Sequence, residues 1–75
     1  MTYKADNFMN WSKIIKDLRN IMMLTQTELA EVLQVSFASV NRWENGRYEP
    51  TIKIKRRIKD LCKKNNINLD SYSSN

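Results

Sequence analysis

Thirteen lysines and arginines, one cysteine and no histidine set the chemistry open to this chain of 75 residues. Without histidine, the commonest general base and the commonest metal ligand are both missing. Cys62 alone builds neither a zinc site of the usual Cys/His kind nor an internal disulfide. Gly46 is the only glycine, so neither glycine-rich phosphate-binding loop can exist. No enzymatic activity and no cofactor are therefore expected. What remains is the chemistry of the basic side chains. Set against eight acidic residues they leave a net charge of +5 and a pI near 9.6. That balance calls for an anionic partner, nucleic acid first and an anionic membrane surface second.

The elements that must carry these charges are short. With 41% hydrophobic residues, the chain is expected to form one globular domain over residues 1–75, its core at about 11–64 and a polar tail at about 65–75. The longest apolar run, Ile21-Met22-Met23-Leu24, falls far below the roughly 20 residues of a membrane span or the roughly 7–15 of a signal-peptide core. A cytoplasmic location is the expectation. One glycine and one proline in the whole chain favour helices joined by tight turns, so the fold class is all-α.

Four segments have helical periodicity. Trp11, Ile14, Ile15, Leu18, Ile21 and Met22 form the first apolar stripe, with Asn7 or Asn10 as the cap. Thr25-Gln26-Thr27-Glu28 is a capping-box pattern, followed by an apolar face of Leu29, Ala30, Val32 and Leu33. Ser36 caps a third segment, Phe37 to about Glu44, which ends at Asn45-Gly46, residues tolerant of left-handed geometry. After Pro50-Thr51 the fourth runs from about Ile52 to Lys64, with Ile54, Ile58, Leu61 and Cys62 on one face. The tail is expected to fray in its last few residues, although Ile67 and Leu69 can fold back onto the core.

The run Leu24-Thr25-Gln26-Thr27-Glu28-Leu29-Ala30, then Leu33-Gln34-Val35-Ser36, then Val40-Asn41-Arg42-Trp43-Glu44-Asn45-Gly46 resembles the Cro/C1-type (XRE) helix-turn-helix family. The likeness covers about residues 13–64. It implies a lambda-repressor-like fold: a compact bundle of four or five short helices around a central helix-turn-helix. It also implies sequence-specific binding of double-stranded DNA by a small transcriptional regulator, a repressor by expectation, acting as a homodimer on a palindromic operator. For particular residues the resemblance implies a phosphate grip by Gln26, backbone contacts by Asn45 and Arg47, and a structural pair between Arg19 and Glu44. Two positions depart from the family pattern: Gln34 stands where the tight turn usually has glycine, and Met23 stands where the end of the first helix often does. Positive φ at such a residue costs on the order of 1 kcal/mol.

The residues themselves support a parallel reading. A helix entering the major groove presents outward side chains from its first turn and a half. In the third segment those are Phe37, Ala38, Asn41 and Arg42, with Val40 and Trp43 facing the core. Arginine suits guanine O6/N7 and asparagine suits adenine N6/N7. Phe37 and Ala38 can only meet a thymine methyl or fill space, and Phe37 can equally pack the turn. Ser36 and Ser39, near the helix N-terminus, suit phosphate. Gln26 can instead be a solvated neighbour of the Thr25 cap, and Asn45 and Arg47 can serve the turn alone. Tyr48 is read as a partly buried ring covering its loop. Lys53, Lys55, Arg56, Arg57, Lys59, Lys63 and Lys64 all fall in the fourth segment. Most of them are read as a solvated face, with Lys53 and Lys55 as phosphate contacts nearest the loop. Glu28 and Glu31 are expected to point away from DNA. The alternative function is an antitoxin or adaptor module whose main role is to bind a partner protein.

Overall fold

Each helix begins and ends on the same local chemistry. The computed structural model describes residues 9–73. It contains α1 (Trp11–Ile21), α2 (Gln26–Leu33), α3 (Phe37–Glu44), α4 (Ile52–Lys64) and a closing 3-10 turn, Leu69–Tyr72. The side chains of Asn10, Thr25, Ser36 and Thr51 each accept the backbone N–H three residues on, satisfying donors that a helix start leaves orphaned. Asn10 is the cap of α1; Asn7 lies outside the described residues. At Thr25 the predicted capping box is complete, because Glu28 Oε1 accepts the Thr25 N–H at 2.9 Å.

The four C-termini share a paired closure. Met23, Gln34, Gly46 and Asn66 have φ of 58°, 61°, 75° and 60°. At each, two successive N–H groups turn back to carbonyls of the last turn, as when Gln34 N reaches Glu31 O at 3.1 Å and Val35 N reaches Ala30 O at 2.9 Å. This Schellman pattern brings the next side chain down onto the helix. Leu24, Val35 and Ile67 are those next side chains in three of the four cases, and all three pack against the core. Only one of the four turns uses glycine, so three are held in a conformation that side chains disfavour.

Twelve buried side chains fill the centre, drawn from all four helices: Trp11, Ile14, Ile15 and Leu18; Leu29, Ala30 and Leu33; Val40 and Trp43; Ile54, Ile58 and Cys62. Two residues placed on apolar stripes are exposed instead. Val32 lies two positions from Ala30, about 200° around the helix and so on its far side. Ile21 ends α1, and the chain turns inward through Met22 and Leu24 in its place.

The tail folds back as Ile67 and Leu69 allowed, and goes further. As far as Ser73 it is a strap laid over α1. Ile67, Leu69 and Tyr72 pack on the core, Asn10 N donates to Tyr72 O at 3.1 Å, and Met9 pairs with Ser73 in an isolated bridge. The Tyr72 hydroxyl donates to Asp17 Oδ2 at 2.5 Å, where Lys13 Nζ also reaches at 3.3 Å. The Tyr72 bond, and then Lys13, hold the Asp17 carboxyl below its ordinary range, and the same bond pushes the Tyr72 phenol up to about 12.

Two measurements test this picture. Gln34→Gly should raise stability by up to about 1 kcal/mol, less the flexibility glycine adds to the unfolded chain. A thermal melt shifted upward by a few degrees is expected, and a lowered midpoint would mean that the strain at Gln34 is smaller than that added flexibility. Tyr72→Phe should cost about 1.5–3 kcal/mol at neutral pH, the range of a hydrogen bond to a charged group. Because the folded Asp17 pKa is depressed, that contribution is complete above the ordinary aspartate range and fades as pH falls through the lowered value. Because the Tyr72 pKa is raised, it also fades at the alkaline end as pH rises toward about 12. Melts of the two proteins that stay parallel at every pH would contradict the assignment.

Candidate nucleic-acid interface

An eight-residue helix is not stable by itself in water, so α3 must be fixed from outside. Val40 and Trp43 anchor its inner side in the core, and Glu44 is buried beside them with 4% of its surface exposed. The Ser12 hydroxyl on α1 donates to the Glu44 carbonyl oxygen at 2.6 Å. Arg19, also on α1, grips the Glu44 carboxylate with two donors, Nε to Oε2 at 2.7 Å and Nη2 to Oε1 at 3.1 Å. Its third nitrogen, Nη1, reaches the Leu24 carbonyl at 3.3 Å. The Glu44 bond, foremost, raises the Arg19 pKa above its ordinary value.

The opposite side of α3 carries Phe37, Ala38, Asn41, Arg42 and Asn45. Ala38, Arg42 and Asn45 are exposed, Asn41 is half-buried, and Phe37 keeps 49% of its surface in solvent. Phe37 is therefore not a core residue. Asn41 is half-buried because other amides surround it: its Nδ2 donates to Gln26 Oε1 at 3.3 Å and its Oδ1 accepts from Asn45 Nδ2 at 2.9 Å. Gln26 Nε2 in turn donates to Glu44 Oε1 at 3.0 Å. Gln26 and Asn45 thus touch the side chain between them and are neither purely solvated nor purely turn residues. The Ser36 and Ser39 hydroxyls lie 3.1 Å apart at the start of the helix.

The guanidinium of Arg42 sits over the Tyr48 ring, 5.8 Å from its centroid. Tyr48 is 64% exposed, so it does not cover its loop as expected but offers a face on which Arg42 rests. Nothing in the local sequence marks this pairing, because the two residues are brought together by the Gly46 turn.

The basic residues of α4 divide by direction. Lys53 is exposed, as is Arg47 in the loop before it. Lys55, expected as a phosphate contact, has only 14% of its side chain exposed: its ammonium pairs with Glu49 Oε1 at 2.9 Å and lies 5.2 Å from the Trp11 ring centroid. It joins α4 to α1 and leaves the candidate interface. Arg57 likewise turns inward and donates to the Leu33 carbonyl at 2.6 Å, capping the end of α2.

No group of acidic, histidine or cysteine side chains is placed to hold a metal among the described residues. Cys62 is wholly buried, and burial pushes its thiol up to about 11, so it stays protonated and packs as a small apolar side chain. No helix among the described residues is long and apolar enough to cross a membrane.

A helix-turn-helix family model matches residues 15–70, reaching from α1 into the closing turn. No curated protein and no solved structure matches the chain.

Arg19→Ala leaves Glu44 buried without its cation and should cost roughly 3–5 kcal/mol. In a domain of this size such a loss lowers the melting temperature by well over ten degrees. A variant that melts within a degree or two of the parent would show the pair to be dispensable.

Proposed function

The chain belongs to the Cro/C1-type (XRE) helix-turn-helix family of DNA-binding transcription regulators, and from that we propose that it is a sequence-specific repressor with α3 as its recognition helix. The observation that carries this reading is the open outer side of α3, where Asn41 and Arg42 stand clear of the core on a helix fixed from behind. In the proposed complex Arg42 leaves Tyr48 to take guanine O6/N7, Asn41 takes adenine N6/N7, and Phe37 and Ala38 meet thymine methyls. Gln26, Ser36, Ser39, Asn45, Arg47 and Lys53 border that helix and supply the phosphate contacts. Binding takes place in the cytoplasm, where bacterial, phage or plasmid DNA lies.

A reader this small contacts only a few base pairs. A homodimer on a palindromic operator, with half-sites one helical turn or about 34 Å apart, doubles the contact and matches the family's docking geometry.

Selection of bound sequences from random duplexes tests the proposal. An inverted repeat should emerge, and equal binding of all duplexes by the intact protein would end the specific-reader claim. Arg42→Ala should flatten preference at one base pair of each half-site, a loss of about 1–3 kcal/mol of discrimination. Lys53→Ala should weaken all sequences alike and reduce the slope of log affinity against log salt by about 0.9 per protomer.

A further inference from the structure

The two carboxylates closest to Arg42 along the chain are already engaged, Glu44 with Arg19 and Glu49 with Lys55. Among the described residues the partner left to the Arg42 guanidinium is the Tyr48 ring, with Cζ 5.8 Å from its centroid. The turn after α3 puts the ring there. Gly46 at a φ of 75° and the return of Arg47 N to Arg42 O at 3.1 Å double the chain back onto the end of the helix. Beyond Tyr48, buried Pro50 anchors the other side of the loop. Held between those two points, the ring cannot follow the arginine far.

This resting place and a base edge make opposite demands on Arg42. Tyr48 belongs to the loop that follows α3, whereas base edges meet the first turn and a half of a recognition helix. To reach guanine O6/N7 the guanidinium must extend away from the loop, and its contact with the ring is given up. At a base pair with no bidentate partner for arginine, the guanidinium stays on the ring and nothing is given up. We infer that Tyr48 is a positioning residue that restrains base readout: it holds Arg42 back, so that guanine must displace the ring. The guanine preference of the protein is thereby set below what the arginine alone would give. This rests on α3 being the recognition helix with Arg42 on guanine.

Tyr48→Leu removes the ring and Tyr48→Phe keeps it. Arg42→Ala first identifies the base pair that Arg42 reads, as the position where preference disappears. On duplexes with guanine there, Tyr48→Leu should bind about two- to fivefold more tightly than the unsubstituted protein, the equilibrium effect of an exposed cation–π contact. On duplexes with another base there its affinity should be unchanged, because the contact persists in both free and bound protein. Preference for guanine therefore sharpens by the same factor. Tyr48→Phe should bind as the parent does, and in the Arg42→Ala background Tyr48→Leu should change nothing. In the free protein the ring should shift the Arg42 side-chain proton resonances upfield. That shift should vanish in Tyr48→Leu and when the guanine duplex is added to the parent. A Tyr48→Leu protein whose guanine binding is weakened or unchanged would overturn the inference, the ring then touching DNA or staying on Arg42 in the complex. So would a gain that survives Arg42→Ala, or a loss of affinity in Tyr48→Phe. Should Tyr48→Leu not fold, the parent resonances decide alone: an upfield shift that disappears on the guanine duplex upholds the inference, and one that is absent or persists overturns it. A failure of the recognition-helix reading would look different, because the unsubstituted protein would then show no preference at any base pair.

Discussion

A carboxylate buried at the end of a two-turn helix is tolerable only if a cation meets it with good geometry, and the Arg19–Glu44 pair is that condition in this protein. Taking both charges out of water costs several kcal/mol per ion. The two-donor grip at 2.7 and 3.1 Å and the further donor from Gln26 at 3.0 Å offset that cost. Apolar residues of similar volume often serve stability as well as a buried ion pair does. What they would not provide is direction. The pair ties the end of α1 to the end of α3 at one rotation of α3 about its axis, and Ser12 holds the same turn of α3 by its backbone. That rotation decides which side chains of α3 face outward.

The remaining helices are positioned by economical local means. Each is started by a side-chain cap and closed by a left-handed residue, whose successor folds inward in three of the four cases, so the chain reverses direction sharply with a single glycine. These turns act on packing as well as on the backbone. At α1, α2 and α4 the inward successor is Leu24, Val35 or Ile67, which adds a partly buried apolar side chain to a core of twelve residues. At α3 the successor is Arg47, which is exposed. The one turn without an inward apolar residue is also the one glycine turn, and it borders the candidate interface.

Much of this was legible in the sequence because it is written in neighbouring residues. Thr25 and Glu28 are three apart and announce a capping box; Ser36 and Asn45-Gly46 bracket α3; the stripe Trp11, Ile14, Ile15, Leu18 announces the buried side of α1. Direction over long separations was not legible. Tyr72 meets Asp17 across 55 positions, and no local pattern distinguishes it from another residue of a polar tail. Lys55 and Arg57 carry the same composition signal as Lys53, yet one lies on Trp11 and the other caps α2. Charge type says that a side chain seeks an opposite charge or water, not which one it finds. The same limit hid Tyr48 beneath Arg42, and it hid the amide sequence at Asn41, where the residue types were known but their mutual bonding depends on how α2 crosses α3.

The division among the basic residues bears on how the net charge of +5 should be read. Long-range attraction to a polyanion responds to the sum of charges, whereas each release of a bound counterion requires a cation close to a phosphate. In α4, Lys55 is paired with Glu49 and Arg57 is turned onto a carbonyl, while Lys63 and Lys64 lie at the far end of a 13-residue helix, roughly 15 Å from Lys53 at 1.5 Å per residue. The exposed line between those ends includes the acidic Asp60, so α4 does not present an unbroken basic edge. Only Lys53 lies at the end of α4 beside the loop that follows α3. The cations next to α3 are therefore few, Arg42, Arg47 and Lys53, and in the proposed complex Arg42 is on a base. In that complex, steering toward DNA would draw on all thirteen basic residues, while the close electrostatic grip would rest on Arg47 and Lys53, with neutral donors such as Gln26, Ser36 and Ser39 supplying the other backbone contacts. Such a grip would be weak for a single copy, and the proposed homodimer would double it.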